Sequence, residues 1–331
     1  MPMKKWLFIF IGLIIFESAA TQTLTVKQLQ ENAKVFMQQG DFENAVASLQ
    51  KARQTDPLNM ELLKNLSFAY FLQRDFVKAI ETGKIVIEMD DADQQAFQIL
   101  GLSYKSIAAY KEANKMYKVA LKKFPNGGVI YNEYGESLAL EKNTKEAIIQ
   151  WEKGIQLDPN FSGNYFNAIK YYSDQQNWIR IILYGELFVN LESFSAKTTE
   201  VKNTLIIAYK NLYKSDLANL LSSKSTLSAF EKKVLTIFKE ASNGLVEITT
   251  AEQLTITKQL FLTKWFATEA NNYPFRLFDH WQYLAKENIL SAYNQWLLSE
   301  AVNENTKEVA QFQLFQQSRV FKIPQGQYYI Q

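Results

Sequence analysis

A recurrence of small side chains every 34 residues constrains this chain more than any other feature of its sequence. Alanine keeps this interval at four positions, which are Ala45, Ala79, Ala113 and Ala147. A second set of small residues lies twelve positions earlier, at Ala33, Ser67, Gly101 and Gly135. Proline keeps a third register at Pro57, Pro125 and Pro159, with Asp91 in the remaining place. A period of this length is typical of arrays in which each unit packs against its neighbours, so we predict stacked helical units from Val26 to Phe161.

The small residues indicate two helices in each unit. Helix axes that approach to roughly 8–10 Å need small side chains where they cross. In the first unit Ala33 and Ala45 would meet at this crossing, and Gly40-Asp41 would form the turn between the helices. Asp56-Pro57 would end the second helix, because the residue before proline is disfavoured in the α region. Each unit is therefore predicted to be a helical hairpin.

With these registers the stretch from Val26 to Phe161, a little under half of the chain, resembles the tetratricopeptide-repeat family, and we predict a tetratricopeptide-repeat solenoid over residues 21–195. The resemblance implies an all-α fold: a right-handed tetratricopeptide-repeat superhelix with four clear repeats and one degenerate repeat, followed by an α-helical C-terminal domain. The degenerate repeat spans 162–195, where Ile169 and Ile181 replace the small residues. Two bulky side chains at the crossing are expected to force these two helices apart.

The sequence after the repeats is also predicted to be helical. Residues 196–224 are interpreted as connecting helices and residues 225–331 as an aromatic-rich helical domain. Thr250-Ala251-Glu252-Gln253 fits a capping box and is expected to begin a long helix that ends near Asn271. Apolar residues at helical spacing predict further helices at 227–239, 278–287, 290–302 and 308–321, with an extended tail after them.

The first twenty residues have the layout of a secretory signal. Lys4 and Lys5 precede an apolar run from Trp6 to Phe16, and Ser18-Ala19-Ala20 offers small residues for cleavage. The apolar run is short for a transmembrane helix, which needs about 20 apolar residues. We expect cleavage after Ala20, no membrane span after cleavage, and export to the periplasm of a Gram-negative bacterium or to the medium. Retention of the segment as an anchor is the alternative.

Few residue types that support catalysis are present. The chain has no cysteine, which excludes disulfides, thiol nucleophiles and thiolate metal sites. His280 is the only histidine, and we interpret it as a structural hydrogen-bonding residue. No glycine-rich phosphate loop or nucleophile elbow occurs. We therefore expect no enzyme activity, no catalytic residue, no cofactor and no metal site. A net charge of +2, with no basic run longer than two residues, argues against nucleic acid binding.

In the tetratricopeptide-repeat family the first helix of each unit lines a concave groove that holds peptide ligands. The resemblance therefore implies a protein or peptide partner. Carried over by register, the groove candidates are Lys27, Gln30, Lys34, Lys64, Phe68, Phe71, Gln98, Leu102, Asn132, Glu136, Phe166 and Lys170. Some members clamp a peptide's C-terminal carboxylate with fixed lysine, asparagine and arginine residues. Only Asn65 occupies such a position here, so that clamp is predicted to be absent.

Phe68 and Phe71 allow two interpretations. They could contact the partner, or they could pack against the C-terminal region of the same chain.

Three functions remain open at this point. The leading hypothesis is a non-enzymatic binding or scaffold protein of the bacterial cell envelope, with its partner in the groove. A second is glycan binding by aromatic residues of the C-terminal region, which we otherwise interpret as a hydrophobic core. These residues are Trp265, Phe266, Tyr273, Phe275, Phe278, Trp281, Tyr283, Tyr293 and Trp296. A third is a hydrolase within residues 225–331, where the sequence distinguishes no pair of carboxylates.

Overall fold

The computed structural model describes residues 24–212, 214–222, 226–242, 244–245, 247–302 and 307–327. Within them the chain forms 17 helices and no strand, which confirms the predicted all-α class. None of the helices described is both long and apolar enough to cross a membrane. The predicted signal segment, residues 1–20, lies outside the described residues.

The first ten helices form five consecutive hairpins. In order they are α1 Val26–Gln38, α2 Phe42–Thr55, α3 Met60–Leu72, α4 Phe76–Ile87, α5 Gln94–Ser106, α6 Tyr110–Lys123, α7 Gly128–Leu140, α8 Thr144–Leu157, α9 Ser162–Asp174 and α10 Trp178–Leu191. The remaining helices are α11 Ala196–Leu212, α12 Leu217–Leu221, α13 Ala229–Ala241, α14 Ala251–Thr268, α15 Arg276–Lys286, α16 Leu290–Val302 and α17 Lys307–Gln317.

Each of the five hairpins turns through one residue in the left-handed region of the backbone. In the first hairpin this residue is Gly40, with φ of 77°, and the N–H of Asp41 donates to the carbonyl of Phe36 over 2.9 Å. Glycine adopts this conformation without steric cost. The same turn recurs at the interval of the alanine register, at Arg74, Ala108, Lys142 and Gln176. The predicted turn at Gly40-Asp41 is confirmed.

Small residues at the helix crossings are matched by large side chains on the opposite helix. The four alanines that define the repeat register are fully buried. A Cβ atom on Gly101 would lie 1.7 Å from Tyr117 Oη, and one on Gly135 would lie 2.2 Å from Trp151 Nε1. Both glycines therefore leave room for an aromatic ring from the second helix of their own hairpin. The predicted close crossing of paired helices is confirmed.

The fifth hairpin corrects one expectation. Ile169 and Ile181 are buried, and α9 and α10 pack side by side as the other pairs do. Gly185 stands sixteen residues after Ile169, in the register that holds Leu49, Tyr117 and Trp151 in other hairpins. A Cβ atom on Gly185 would lie 2.8 Å from a methyl group of Leu205, so this glycine leaves room for α11 to pack against α10. The prediction that these helices are forced apart is wrong.

The array continues beyond the fifth hairpin. Helix α11 begins one repeat length after α9 and packs against it, as each preceding first helix packs against the next. Helices α15 and α16 pair through the same turn as the five hairpins: Asn288 has φ of 59°, and the N–H of Ile289 donates to the carbonyl of Leu284 over 2.9 Å. Helix α15 packs against α10, and α16 packs against α11. The C-terminal helices thus extend the end of the stack.

The buried apolar residues form two clusters. The smaller one runs from Leu29 to Ala96 and belongs mainly to the first two hairpins. The larger one runs from Ile80 to Ile323 and is continuous from the third hairpin through the C-terminal helices. Domain boundaries near residues 195 and 224 stay a prediction. Most of the C-terminal aromatic residues are buried in the larger cluster, namely Trp265, Phe275, Phe278, Trp281, Tyr293 and Trp296.

Candidate functional site

The first helices of the five hairpins line one face of the array. Helices α1, α3, α5, α7 and α9 pack against one another in this order. We call this surface the groove face. All twelve candidate binding residues lie on these helices, as the register predicts.

The first part of the groove face, on α1 and α3, is basic at its rim. Lys27 and Lys34 are exposed, and Lys34 Nζ lies 3.2 Å from Glu31 Oε1. Lys64 is different, because its side chain is only 5% exposed and its Nζ lies 2.7 Å from Glu61 and 2.6 Å from Asp93. Burial alone would lower the pKa of Lys64, but the two carboxylates outweigh burial and raise it. Lys64 therefore joins α3 to the start of α5 and has little freedom to bind a partner.

An aromatic pair occupies the middle of α3. The rings of Phe68 and Phe71 stack with centroids 6.2 Å apart and an interplanar angle of 12°, and Phe71 also contacts Phe76 at 5.9 Å. Both Phe68 and Phe71 are partly exposed. The helices that pack against α3 are α1, α2, α4 and α5. In the described part of the chain the C-terminal helices do not cover this pair, so the interpretation that it packs against them is wrong.

The second part of the groove face carries a polar network. Lys105 Nζ lies 2.6 Å from Glu133 and 2.9 Å from Glu136, and Gln98 Nε2 donates to Glu133 over 2.9 Å. Glu136 also accepts a hydrogen bond from Asn132 over 3.0 Å. Burial would lower the pKa of Lys105, but Glu133 and Glu136 outweigh it and raise that pKa. Successive first helices are thus tied together by side chains that already have partners.

The network reaches a shallow cavity at its far end. Asn167 Nδ2 donates to Asn132 Oδ1 over 2.8 Å and, with Glu136 and Lys170, lines a cavity of about 430 Å³. Beside it the ring of Phe166 has Lys170 Nζ 5.3 Å and Lys197 Nζ 4.9 Å from its centroid. An ammonium group over an aromatic face is attracted by the ring quadrupole. Two ammonium groups therefore lie over one ring at this end of the groove face.

The described residues contain no group of three histidine, cysteine, aspartate or glutamate residues that could hold a metal ion. The interpretation of His280 as a hydrogen-bonding residue needs a correction. The side chain is buried as expected, but its Nε2 atom has no hydrogen-bond partner among the described residues.

Two tetratricopeptide-repeat family models match the chain, over residues 36–101 and 95–127. These ranges coincide with hairpins whose turns and crossings recur at one fixed interval. Residues 36–127 are tetratricopeptide repeats.

Two curated human proteins are similar to the repeat region. Tetratricopeptide repeat protein 21B from Homo sapiens is 27% identical over 125 residues, which cover 38% of this chain and 10% of that protein. RNA polymerase II-associated protein 3 from Homo sapiens is 27% identical over 126 residues, which cover 37% of this chain and 19% of that protein. The tetratricopeptide-repeat protein described here therefore spans a small part of the length of these relatives.

Several solved structures resemble the array. MamA is 23% identical, with a TM-score of 0.41, and the match covers 49% of this chain and 94% of MamA. A thermophilic TPR protein of Thermus thermophilus is 12% identical, with a TM-score of 0.46, and the match covers 55% of this chain and all of that one. YrrB, described as a TPR protein with an unusual peptide-binding site, is 17% identical, with a TM-score of 0.39 over 53% of this chain and 91% of YrrB. None of these similarities assigns a ligand to this tetratricopeptide-repeat protein.

Sequence reasoning missed three residues of the groove face, Lys105, Glu133 and Asn167, and a fourth beside it, Lys197 on α11. A signal for two of them was present. Lys105 lies one repeat length after Phe71, and Lys197 falls in the register of Lys27 once α11 is counted as a further first helix of the repeat array. That Glu133 and Asn167 join one network follows from contacts between neighbouring helices, which the register alone does not show. Binding of a partner by the twelve candidates stays a prediction.

Proposed function

We propose that this tetratricopeptide-repeat protein is a non-enzymatic interaction scaffold that holds a protein or peptide partner on its groove face. The observation that carries the proposal is the stacked pair Phe68 and Phe71 on α3. Both rings are partly exposed on a face that the described C-terminal helices leave uncovered. A few aromatic anchors usually supply most of the affinity of a protein interface.

The two parts of the groove face have different roles in this proposal. Between α5 and α9 the polar side chains bind each other, so a partner would have to break existing hydrogen bonds there. Leaving such groups unpaired costs about 1–3 kcal/mol each. The partner is therefore proposed to place an apolar side chain against Phe68 and Phe71, and the network keeps the neighbouring helices aligned.

Photocrosslinking tests this proposal. A benzophenone amino acid replaces Phe68 in one variant and Val77 in a matched control; Val77 lies on α4 of the same hairpin and is 65% exposed. Crosslinks to one defined partner from position 68, and none from position 77, would support binding of that partner on the groove face. Equal crosslinking from both positions would refute it.

Substitution gives a second readout. Phe71→Glu is expected to weaken capture of the crosslinked partner at least about tenfold, because a charge replaces an apolar anchor. Val77→Glu adds the same charge outside the groove face and is expected to leave capture unchanged. Circular dichroism checks that both variants keep their helical content. A folded Phe71→Glu variant with unchanged affinity would contradict the proposal.

We further propose that the protein acts in the cell envelope after cleavage behind Ala20. This proposal is supported by the first twenty residues alone. Mass spectrometry of the N-terminus of the chain isolated from its source tests it. A first residue of Thr21 would support export, and an intact Met1 in a membrane fraction would favour a retained anchor.

The other two hypotheses gain no support from the geometry. Rings that would form a glycan platform lie in the core, including Trp265, Trp281 and Trp296. A cavity between α10, α15 and the end of α17, and another between α14 and α15, have no aspartate or glutamate in their described walls. We therefore propose no second function.

A further inference from the structure

A cavity of about 320 Å³ lies where the fifth hairpin meets the C-terminal helices. Its wall is formed by the end of α10, one side of α15 and the segment from Phe315 to Phe321 at the end of α17. We call it the His280 cavity. It is separate from the groove face, since none of its lining residues belongs to α1, α3, α5, α7 or α9. Its volume is at the small end of the range for ligand pockets, which is about 300–1,000 Å³.

Two buried polar atoms in the wall of this cavity have no hydrogen-bond partner among the described residues. They are His280 Nε2 and Gln316 Oε1. The His280 side chain is 9% exposed, and its ring contacts Tyr293 and Phe321 edge-on, at 6.0 and 5.0 Å. Buried polar side-chain atoms usually have a partner, so each exception requires an explanation. A ligand that enters the cavity would supply one.

The same wall is cationic. Arg276 uses its Nε–H to donate to the carbonyl of Lys322 over 2.9 Å, and its guanidinium lies 4.9 Å from the ring centroid of Phe321. The guanidinium of Arg319 lies 4.7 Å from the ring of Phe315. The described lining contains no aspartate or glutamate, and Asp279 on α15 is the acid that acts on Arg276 from outside it. Two arginines therefore face a cavity with no carboxylate of its own.

The imidazole itself does not supply the charge. Burial, together with the positive charges of Arg276 and Lys258, lowers the pKa of His280 to about 3. The ring is therefore neutral at neutral pH, with one nitrogen able to donate a hydrogen bond. The side-chain amide of Gln316 can flip end for end and present its NH₂ group, so it can also act as a donor. The unpartnered atoms thus suit an acceptor group on a ligand.

We propose that the His280 cavity binds a small aromatic carboxylate. Arg276 and Arg319 bind the carboxylate, because a guanidinium matches the planar geometry of that group. His280 donates a further hydrogen bond from Nε2. The aromatic part of the ligand packs against the aromatic lining of the cavity, which includes Tyr283 and Phe321. This inference does not depend on the partner proposed for the groove face.

Nuclear magnetic resonance of the full chain without an affinity tag tests the proposal directly, because His280 is the only histidine. The probe is benzoate, with benzyl alcohol as the same ring without charge and acetate as the same charge without a ring. We expect benzoate to shift the imidazole signals with a Kd of about 1 mM or tighter. Both controls should bind at least about tenfold more weakly, because benzyl alcohol lacks the carboxylate and acetate lacks the aromatic ring.

Two arginine variants sharpen the test. Arg319→Gln is expected to weaken benzoate binding about tenfold or more, because it removes one of two charge-assisted partners. Arg319 is exposed and lies outside the helices, so the variant is expected to fold. The matched control is Arg74→Gln, at the exposed turn of the second hairpin, which should bind benzoate as the unchanged chain does.

Four results with the small-molecule probes would overturn the proposal. These are no imidazole shift with benzoate at about 10 mM, equal binding of benzyl alcohol, equal weakening in the Arg74→Gln variant, and full binding in a folded Arg319→Gln variant. Much tighter binding of a peptide that ends in a free C-terminal phenylalanine would also overturn it, since the cavity would then belong to a protein interface.

Discussion

The third hairpin and the α15–α16 hairpin share one turn and differ at their crossing. Around Ala108 the crossing positions, seven residues before and five after, hold Gly101 and Ala113. Around Asn288 the same positions hold Trp281 and Tyr293. The backbone turn therefore determines how the chain reverses. The size of the crossing residues determines whether the two helices touch directly or enclose other groups.

The large residues of the C-terminal hairpin enclose a carboxylate from the fifth hairpin. Glu186 Oε2 accepts hydrogen bonds from Trp281 Nε1 over 2.8 Å and from the Tyr293 hydroxyl over 2.6 Å. Lys258 Nζ lies 2.9 and 3.0 Å from the two oxygens of Glu186, and both side chains are fully buried. Burial lowers the pKa of Lys258 to about 8, although Glu186 opposes this shift. The third hairpin thus joins its two helices through close backbones, whereas the α15–α16 hairpin is joined to the stack by hydrogen bonds to a carboxylate of α10, which is itself ion-paired with Lys258 of α14.

Removing the Glu186 carboxylate is expected to have the largest effect on stability. Glu186→Leu leaves Lys258 buried without its counter-charge, which is expected to cost about 3–5 kcal/mol of unfolding free energy. Urea denaturation followed by circular dichroism measures the loss. The double variant Glu186→Leu, Lys258→Met should recover most of it, because both charges are gone.

A matched control for that variant is Lys264→Ala. It breaks the exposed pair of Lys264 and Glu240 and should change the unfolding free energy by less than about 1 kcal/mol. If Glu186→Leu were as stable as the unchanged chain, the buried carboxylate would not help to hold the C-terminal helices on the stack.

The crossing of the third hairpin is tested by Gly101→Ala. The added Cβ would lie 1.7 Å from Tyr117 Oη, so the ring must move, at a cost near the upper end of about 1–3 kcal/mol. Gly83→Ala is the matched control, because its Cβ would meet Ser67 Oγ at 3.1 Å and Leu100 at 3.3 Å. Thermal unfolding should separate the two variants. Equal stability would mean that the crossing accepts larger side chains than we infer.

The dependence of stability on pH should also distinguish the α15–α16 hairpin from the third hairpin. His280, in α15, has a folded pKa lowered from 6.5 to about 3 by burial and by Arg276 and Lys258. The unfolded chain therefore binds more protons below pH 6.5, and stability falls as the pH drops toward 3. At pH 5 this group is expected to contribute about 2 kcal/mol less stability than at pH 7.

His280→Gln isolates that contribution, since the difference in unfolding free energy between pH 7 and pH 5 should shrink in the variant. Amide exchange at pH 5 should increase in α15 and α16 before it increases in α5 and α6. If the unfolding free energy of the His280→Gln variant and of the unchanged chain changed equally with pH, the imidazole would not be held neutral in the folded chain.

The smallest expected effect concerns the shared turn itself. Ala108 has φ of 56°, a region that costs an alanine roughly 1–2 kcal/mol and glycine almost nothing. Ala108→Gly should therefore raise the unfolding free energy by about 0.5–1 kcal/mol, after the larger chain entropy of glycine is subtracted. Asn288→Gly should be close to neutral, because asparagine tolerates this region. A larger gain in unfolding free energy for Asn288→Gly than for Ala108→Gly would show that the two turns are not equivalent.

The sequence predicted the parts of the molecule that repeat. Ala33 with Ala45 and Gly101 with Ala113 indicated the helix crossings, and the register of the first helices gave the groove face. It did not predict that α15 and α16 pair in the same way. Their crossing positions carry Trp281 rather than a small residue, so the most visible mark of the repeat is missing.

Contacts between distant positions were beyond the sequence for a physical reason. Glu186 and Lys258 meet across 72 residues, and neither lies in a motif that distinguishes it from a solvated surface residue. Nothing in the sequence likewise distinguishes Lys105 from an exposed lysine, yet its side chain is 9% exposed and is paired with two carboxylates. Burial of a charge depends on how the helices stack, and that information appears only once they are in place.

The division of the interior into two apolar clusters has a consequence for how a partner would be held. Phe71 packs against the smaller cluster, whereas the larger one runs without interruption to Ile323. A segment with the smaller interior is expected to open and close more often than the rest. A partner that binds Phe71 would therefore reduce local opening of the first two hairpins, which are expected to open more readily than the rest of the array.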